Sequence, residues 1–255
     1  MLYKGGGHMA YQTVFKRYEL KYILSAEQKS AVLSVMQPYM ALDKYGRTTI
    51  RNIYFDTENY RLIRRSIDKP AYKEKLRIRS YDRATPDSTV FVELKKKYKS
   101  VVYKRRISLP ERQAINWVCG HGECGKDTQI AAEIDYFLSY YQTLRPKVFL
   151  SCEREAFYAL DDSDFRVTFD ENILCRQNDL SLKSEAYGSS ILQDGKTLME
   201  IKCSGGIPLW MTRALTREKI YRTSFSKYGT AYANLIYPKL NIKNDEEQRK
   251  AAYYA

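Results

Sequence analysis

The chain has 255 residues, 44% of them apolar, and carries 43 Lys and Arg against 30 Asp and Glu, a net charge of +13. That apolar share supports a buried core, and no apolar run approaches the eighteen or more residues that cross a bilayer. The excess of positive charge calls for a polyanionic partner, which leaves nucleic acid, an anionic membrane surface or a phosphate-rich molecule. The five cysteines, Cys119, Cys124, Cys152, Cys175 and Cys203, are an odd number and do not suggest a disulfide framework. Cys119, His121 and Cys124 offer only three ligands at a spacing that fits no common zinc pattern. Reduced thiols and a cytoplasmic location are therefore expected. The glycine-rich stretch 1–10 shows no signal peptide and resembles a tag.

In chain order, alternation predicts a strand over 14–23. The capping box Ser25-Ala26-Glu27-Gln28 opens a helix that stops before Pro38. A strand over 47–55, a short helix over 59–66 and a strand over 72–81 follow. Segments 90–98 and 101–109 read as a hairpin about Lys99-Ser100. Pro110 starts a helix reaching Val118, and 127–141 is an amphipathic helix. Segments 147–158, 165–170 and 197–203 are strands, and 208–217 and 224–235 are helices. The charged tail begins at 241. This order has about eight strands and no βαβ rhythm, so a parallel Rossmann-type sheet is not expected. The expected class is α+β, with one domain over 11–240.

A strand puts residues i, i+2 and i+4 on one face. Here the polar faces carry the same few residue types on strand after strand. Arg17, Glu19 and Lys21 share a face, as do Lys75, Arg77 and Arg79. So do Glu93, Lys95 and Lys97, then Lys104 and Arg106, Cys152 and Arg154, and Arg166, Thr168 and Asp170. Glu200 and Lys202 complete the set. Like charges on neighbouring strands repel, so about a dozen cations gathered on one face imply an anion that neutralises them. The economical arrangement is a closed antiparallel barrel, apolar outside beneath helices and basic inside. Arg offers bidentate contacts to phosphate. Glu19, Glu93 and Glu200 offer the hard oxygen ligands that magnesium or manganese takes.

The ordered segments Arg17-Tyr18-Glu19-Leu20-Lys21, Lys75-Leu76-Arg77-Ile78-Arg79, Val92-Glu93-Leu94-Lys95, Glu153-Arg154-Glu155, Phe165-Arg166-Val167-Thr168, Met199-Glu200-Ile201-Lys202 and Ser224-Phe225-Ser226-Lys227 resemble the VTC domain of polyphosphate polymerases. That domain belongs to the triphosphate tunnel metalloenzymes, the CYTH-like superfamily. The resemblance implies an eight-stranded antiparallel tunnel with surrounding helices. It further implies transfer of the terminal phosphate of a nucleoside triphosphate such as ATP to a polyphosphate chain, with Mn2+ or Mg2+. Lys21, Arg77, Arg79 and Glu200 would carry the reaction. Arg17, Lys75, Lys95, Lys104, Arg106, Arg154, Arg166, Lys202 and Lys227 would hold phosphate, and Glu200, Glu19 and Glu93 would hold metal. Arg17 departs from the Glu-x-Glu-x-Lys start of the wider superfamily, and Ser224 stands where some polymerases carry a lysine. A tunnel triphosphatase and a non-catalytic polyphosphate-binding module remain as alternatives. A nucleic-acid surface is not expected, because the tyrosines fall mainly on the faces opposite the cations. Export of a product would require a separate membrane protein.

Overall fold

The computed structural model describes residues 18–99, 101–161 and 163–241. In chain order its elements are β1 (Tyr18–Leu24), α1 (Ala26–Met36), β2 (Met40–Leu42), β3 (Thr48–Asp56), α2 (Arg61–Ile67), β4 (Tyr72–Tyr81), β5 (Thr89–Tyr98) and β6 (Val101–Pro110). There follow α3 (Glu111–Val118), α4 (Gln129–Tyr141), β7 (Arg145–Ala159), β8 (Arg166–Arg176), β9 (Ser189–Ser190), β10 (Thr197–Cys203), α5 (Leu209–Arg217), β11 (Arg222–Thr223), α6 (Lys227–Ala231) and a π-helical turn, Tyr232–Ile236. Every strand pairing is antiparallel, in the order β11-β1-β10-β8-β7-β3-β4-β5-β6, with β2 on β7 and β9 on β8.

Two expectations are corrected. The sheet has eleven strands rather than eight. The three extra ones, β2, β9 and β11, are two or three residues long, too short to show alternation. The barrel is also not closed by hydrogen bonds: among the described residues no ladder joins β6 to β1. One reason is that β11 occupies the outer edge of β1, setting Thr223 opposite Lys21 and Arg222 opposite Tyr22. The sheet nevertheless curls far around. Lys95 of β5 reaches Glu19 of β1 at 3.4 Å, although five strands lie between β5 and β1 in the sheet order. Two element boundaries also shift. β8 runs on to Arg176 past an irregularity opposite β7. The late helix starts at Lys227, where the Ser226 side chain accepts the Gly229 N–H.

Alternation along the strands sorts the apolar residues into outer and inner faces. On the outside, Ile53, Leu76, Ile78, Val92, Leu94 and Ile107 pack beneath α3 and α4 through Ala114, Trp117, Ile134 and Phe137. Tyr22, Leu24, Val167, Met199 and Ile201 pack beneath α1 and α5 through Val32, Met36, Met211 and Leu215. The inner face is not wholly polar. Tyr54, Leu150, Cys152, Ile173 and Leu198 pack against Tyr228, Ala231, Tyr232 and Ile236. The segment 227–236 therefore stoppers part of the trough with apolar side chains, and the charged residues line the remainder.

Asp56 anchors that stopper. It is fully buried at the end of β3. Its Oδ1 accepts the N–H groups of Thr57 and Leu62, both at 2.8 Å, and its Oδ2 accepts the Ile63 N–H and the Tyr228 hydroxyl, both at 3.0 Å. One carboxylate thus caps α2, whose first N–H groups have no intrahelical partner, and ties it to α6. Burial pushes the Asp56 carboxyl above its ordinary range, against the pull of these hydrogen bonds. Asp56→Ala should lower unfolding free energy by about 3 kcal/mol and Tyr228→Phe by about 1 kcal/mol, as read by urea titration.

Candidate functional site

The register sets most inner-face charges in rows across the strands. Arg77 stands opposite Glu93, and Glu93 opposite Arg106. Lys21 is opposite Glu200, Glu19 opposite Lys202, and Arg154 opposite Asp170. Each of these rows puts a carboxylate beside a cation, the favourable cross-strand arrangement.

Glu93 is the centre of one cluster. Its side chain is 1% exposed and receives Nε and a terminal nitrogen of Arg77 at 2.9 and 2.7 Å, Lys104 Nζ at 2.7 Å and Arg106 Nε at 2.7 Å. Burial works to raise the Glu93 pKa, but Arg77, Arg79 and Lys104 outweigh it and hold the carboxyl far below the usual range. Arg77 also donates to the Tyr54 hydroxyl at 2.8 Å, and Arg79 donates to Asn52 Oδ1 at 2.9 Å. The two arginines are thereby fixed with their remaining N–H groups on the inner face. Burial lowers the Lys104 pKa to about 8, with Glu93 opposing the shift.

Glu200 is the centre of the other cluster. Lys21 lies 3.3 Å from it, Lys202 3.4 Å, Lys227 3.5 Å and Arg154 3.9 Å. Asp170, fully buried, takes a two-pronged contact from Arg154 at 2.5 and 2.6 Å and a further one from Lys227. Burial opposes ionisation of both acids, yet Lys227 heads the cations that hold Asp170 down at about 2 and Glu200 well below its ordinary value. Lys227 in turn is pushed up, with burial overcome by Asp170 and Glu200. Lys21 also donates to the Phe225 carbonyl at 3.0 Å, which ties β1 to the turn before α6.

Magnesium and manganese are commonly held by one or two carboxylates together with substrate phosphates. Glu19 and Glu200 suit this role. Both lie 3.3 Å from the Lys21 ammonium, so a cation position between them is already part of the fold. Burial raises the Glu19 pKa, but Lys95 and Lys21 bring it down to about 2, so it is ionised and able to ligate. Glu93 stands apart, because its partners Arg77, Lys104 and Arg106 are not those of Glu200. No cluster of three or more His, Cys, Asp or Glu among the described residues forms an all-protein metal cage.

The remaining sequence candidates fall as follows. Lys75 and Lys95 face the trough, where Lys75 donates to Ser226 Oγ at 3.0 Å. Arg166 is exposed at the start of β8. Arg17 lies outside the described residues. Alternation with Arg166 and Thr168 places Asp170 on the charged face but gives it no site role. Three contributors, Asn52, Tyr54 and Ser226, are not placed on the charged face by the sequence. Asn52 and Tyr54 sit on a strand whose inner face, Thr48, Ile50, Asn52 and Tyr54, carries no charge before Asp56 at its end. Ser226 is a helix cap with no sequence mark of a lysine partner.

Lys75 has no carboxylate partner among the described residues. Burial, then Lys95 and Lys73, push its pKa down to about 7. Between that value and the ordinary lysine value of about 10.4 the unfolded chain holds more protons than the folded one. Stability from this group therefore rises with pH across that window. Lys75→Met should be more resistant to urea than the parent below pH 7, with the advantage fading towards about pH 10.

The comparisons with known proteins agree with this architecture. A proposed adenylyl cyclase from Hippeastrum, described as having a dominant triphosphatase activity, superposes with a TM-score of 0.54 at 14% identity, over 84% of this chain and 94% of that one. A proposed adenylate cyclase from Bacillus halodurans gives 0.52 at 14% identity, over 84% and 96%. At this identity the likeness is one of fold. No curated protein matches the chain. The model of the VTC domain matches residues 16–236, and the chain belongs to the VTC domain family.

Proposed function

We propose that this chain is a metal-dependent polyphosphate polymerase that moves the terminal phosphoryl group of a nucleoside triphosphate onto a polyphosphate chain. The carrying observation is the Glu200 cluster, which sets Lys21, Lys227, Arg154 and Lys202 within 4 Å of one buried carboxylate. Phosphoryl transfer requires little covalent help from a protein and depends on positioning and charge stabilisation. On this reading Arg77 and Arg79, braced by Tyr54 and Asn52, grip the triphosphate. Lys21 and Lys227 stabilise charge on the transferred group. An oxygen of the chain's terminal phosphate bonds to the γ-phosphorus as the bridging bond to the β-phosphate breaks, and the nucleoside diphosphate leaves. Glu19 and Glu200 would hold Mn2+ or Mg2+, which when bound neutralises phosphate oxygens.

A second reading, hydrolysis of tripolyphosphate or nucleoside triphosphates, is favoured by the apolar stopper on the inner face, which shortens the space for an acceptor. No helix among the described residues is long and apolar enough to cross a membrane.

The deciding test is incubation with ATP and manganese, following free phosphate and long-chain polyphosphate on a gel. Long chains support the polymerase, and free phosphate alone moves the assignment to the hydrolase. Turnover should fall by at least about a hundredfold in Lys21→Ala and in Glu200→Ala with the fold retained. Full activity in both variants would remove the Glu200 cluster from the mechanism.

A further inference from the structure

The rows of paired opposite charge end towards the start of β4. There Lys75 stands opposite Lys95, and Lys95 opposite Lys104. One step further along, Lys73 stands opposite Lys97. Like charges placed directly across strands destabilise a sheet, and neutralisation here is sparse. Lys95 reaches Glu19 at 3.4 Å and Lys104 reaches Glu93 at 2.7 Å, a carboxylate already shared with two arginines. Among the described residues Lys73 donates to the Ser66 carbonyl, at 3.2 Å, and Lys75 to the Ser226 hydroxyl, and neither has a carboxylate partner. Lys97 has no acidic partner among the described residues. The lysines of the outer face are treated differently: Lys96, between Lys95 and Lys97, is paired with Glu133 of α4.

Length adds a second argument. From Lys73 to Arg79 the inner face of β4 carries a cation at every second residue. Six residues of strand span about 20 Å at 3.3 Å per residue. A triphosphate has three phosphorus atoms and cannot meet Arg79 and Lys73 together.

We propose that Lys73 and Lys97 extend the phosphate grip into a rail for a linear polyphosphate longer than a triphosphate. This rests on the phosphate-binding reading above and adds to it residues outside the central clusters. The rail selects by length, because only a chain longer than a triphosphate reaches past Arg77 and Arg79 to Lys73 and Lys97, which have no acidic partner among the described residues.

The test is calorimetric titration of inorganic tripolyphosphate and of polyphosphates of graded length into the parent and Lys73→Gln/Lys97→Gln, with Lys44→Gln/Lys219→Gln as a control for lost surface charge. The parent should bind long chains more tightly than tripolyphosphate. The Lys73→Gln/Lys97→Gln variant should keep its tripolyphosphate affinity and lose about tenfold on long chains, while the control keeps both. Equal losses on short and long chains, an equal loss in the control, or long-chain binding unchanged in the variant would each overturn the rail. Absence of tripolyphosphate binding in the parent would overturn the phosphate-binding reading itself.

Discussion

The constraint on which this structure depends is repulsion among cations that a shared strand periodicity delivers to one face. Three carboxylates answer most of it. Glu93 holds Arg77, Lys104 and Arg106, while Asp170 and Glu200 hold Arg154 and Lys227 between them. All three are almost completely withdrawn from water. A buried acid without its cations is costly, as are the cations without an acid, and Arg154 and Lys227 each have Asp170 beside Glu200. The clusters also leave positive charge over, which is what an anion-binding surface requires.

The same arrangement explains why the helices lie where they do. Outer strand faces are aliphatic and are covered by α3 and α4 on one side and by α1 and α5 on the other. The late segment behaves differently because it enters the trough. Its apolar residues fill one part of the inner face, and Lys227, at its first turn, meets Asp170 and Glu200. A single short helix thus acts as packing at one end and as part of the charge network at the other.

Much of this was legible in the sequence because alternation is a strong signal on long strands. The eight strands of seven residues or more, and the inward set Lys21, Arg77, Arg79, Glu93, Arg154 and Glu200, follow from a period of two. Closure did not follow, because two residues, Arg222 and Thr223, suffice to occupy the edge of β1 and carry no periodicity. The separation of Glu93 from the Glu19 and Glu200 pair was also hidden. A face assignment says that side chains share a surface, but the curl of the sheet decides which of them meet. Asp56 caps α2 through Leu62 and Ile63, six and seven positions on, but its tie to Tyr228 spans 172 positions.

Those long separations have a kinetic meaning. Lys21 meets the Phe225 carbonyl across 204 positions, Lys75 meets Ser226 across 151, and Lys95 meets Glu19 across 76. Contacts of such high order form slowly, since loop closure must be met before they contribute. Here the closing segments also approach one another as like-charged bodies. Added salt weakens that repulsion over the Debye length, about 10 Å at 0.1 M. Ionic strength therefore acts on how fast this chain reaches its native state as well as on how tightly it holds a ligand afterwards.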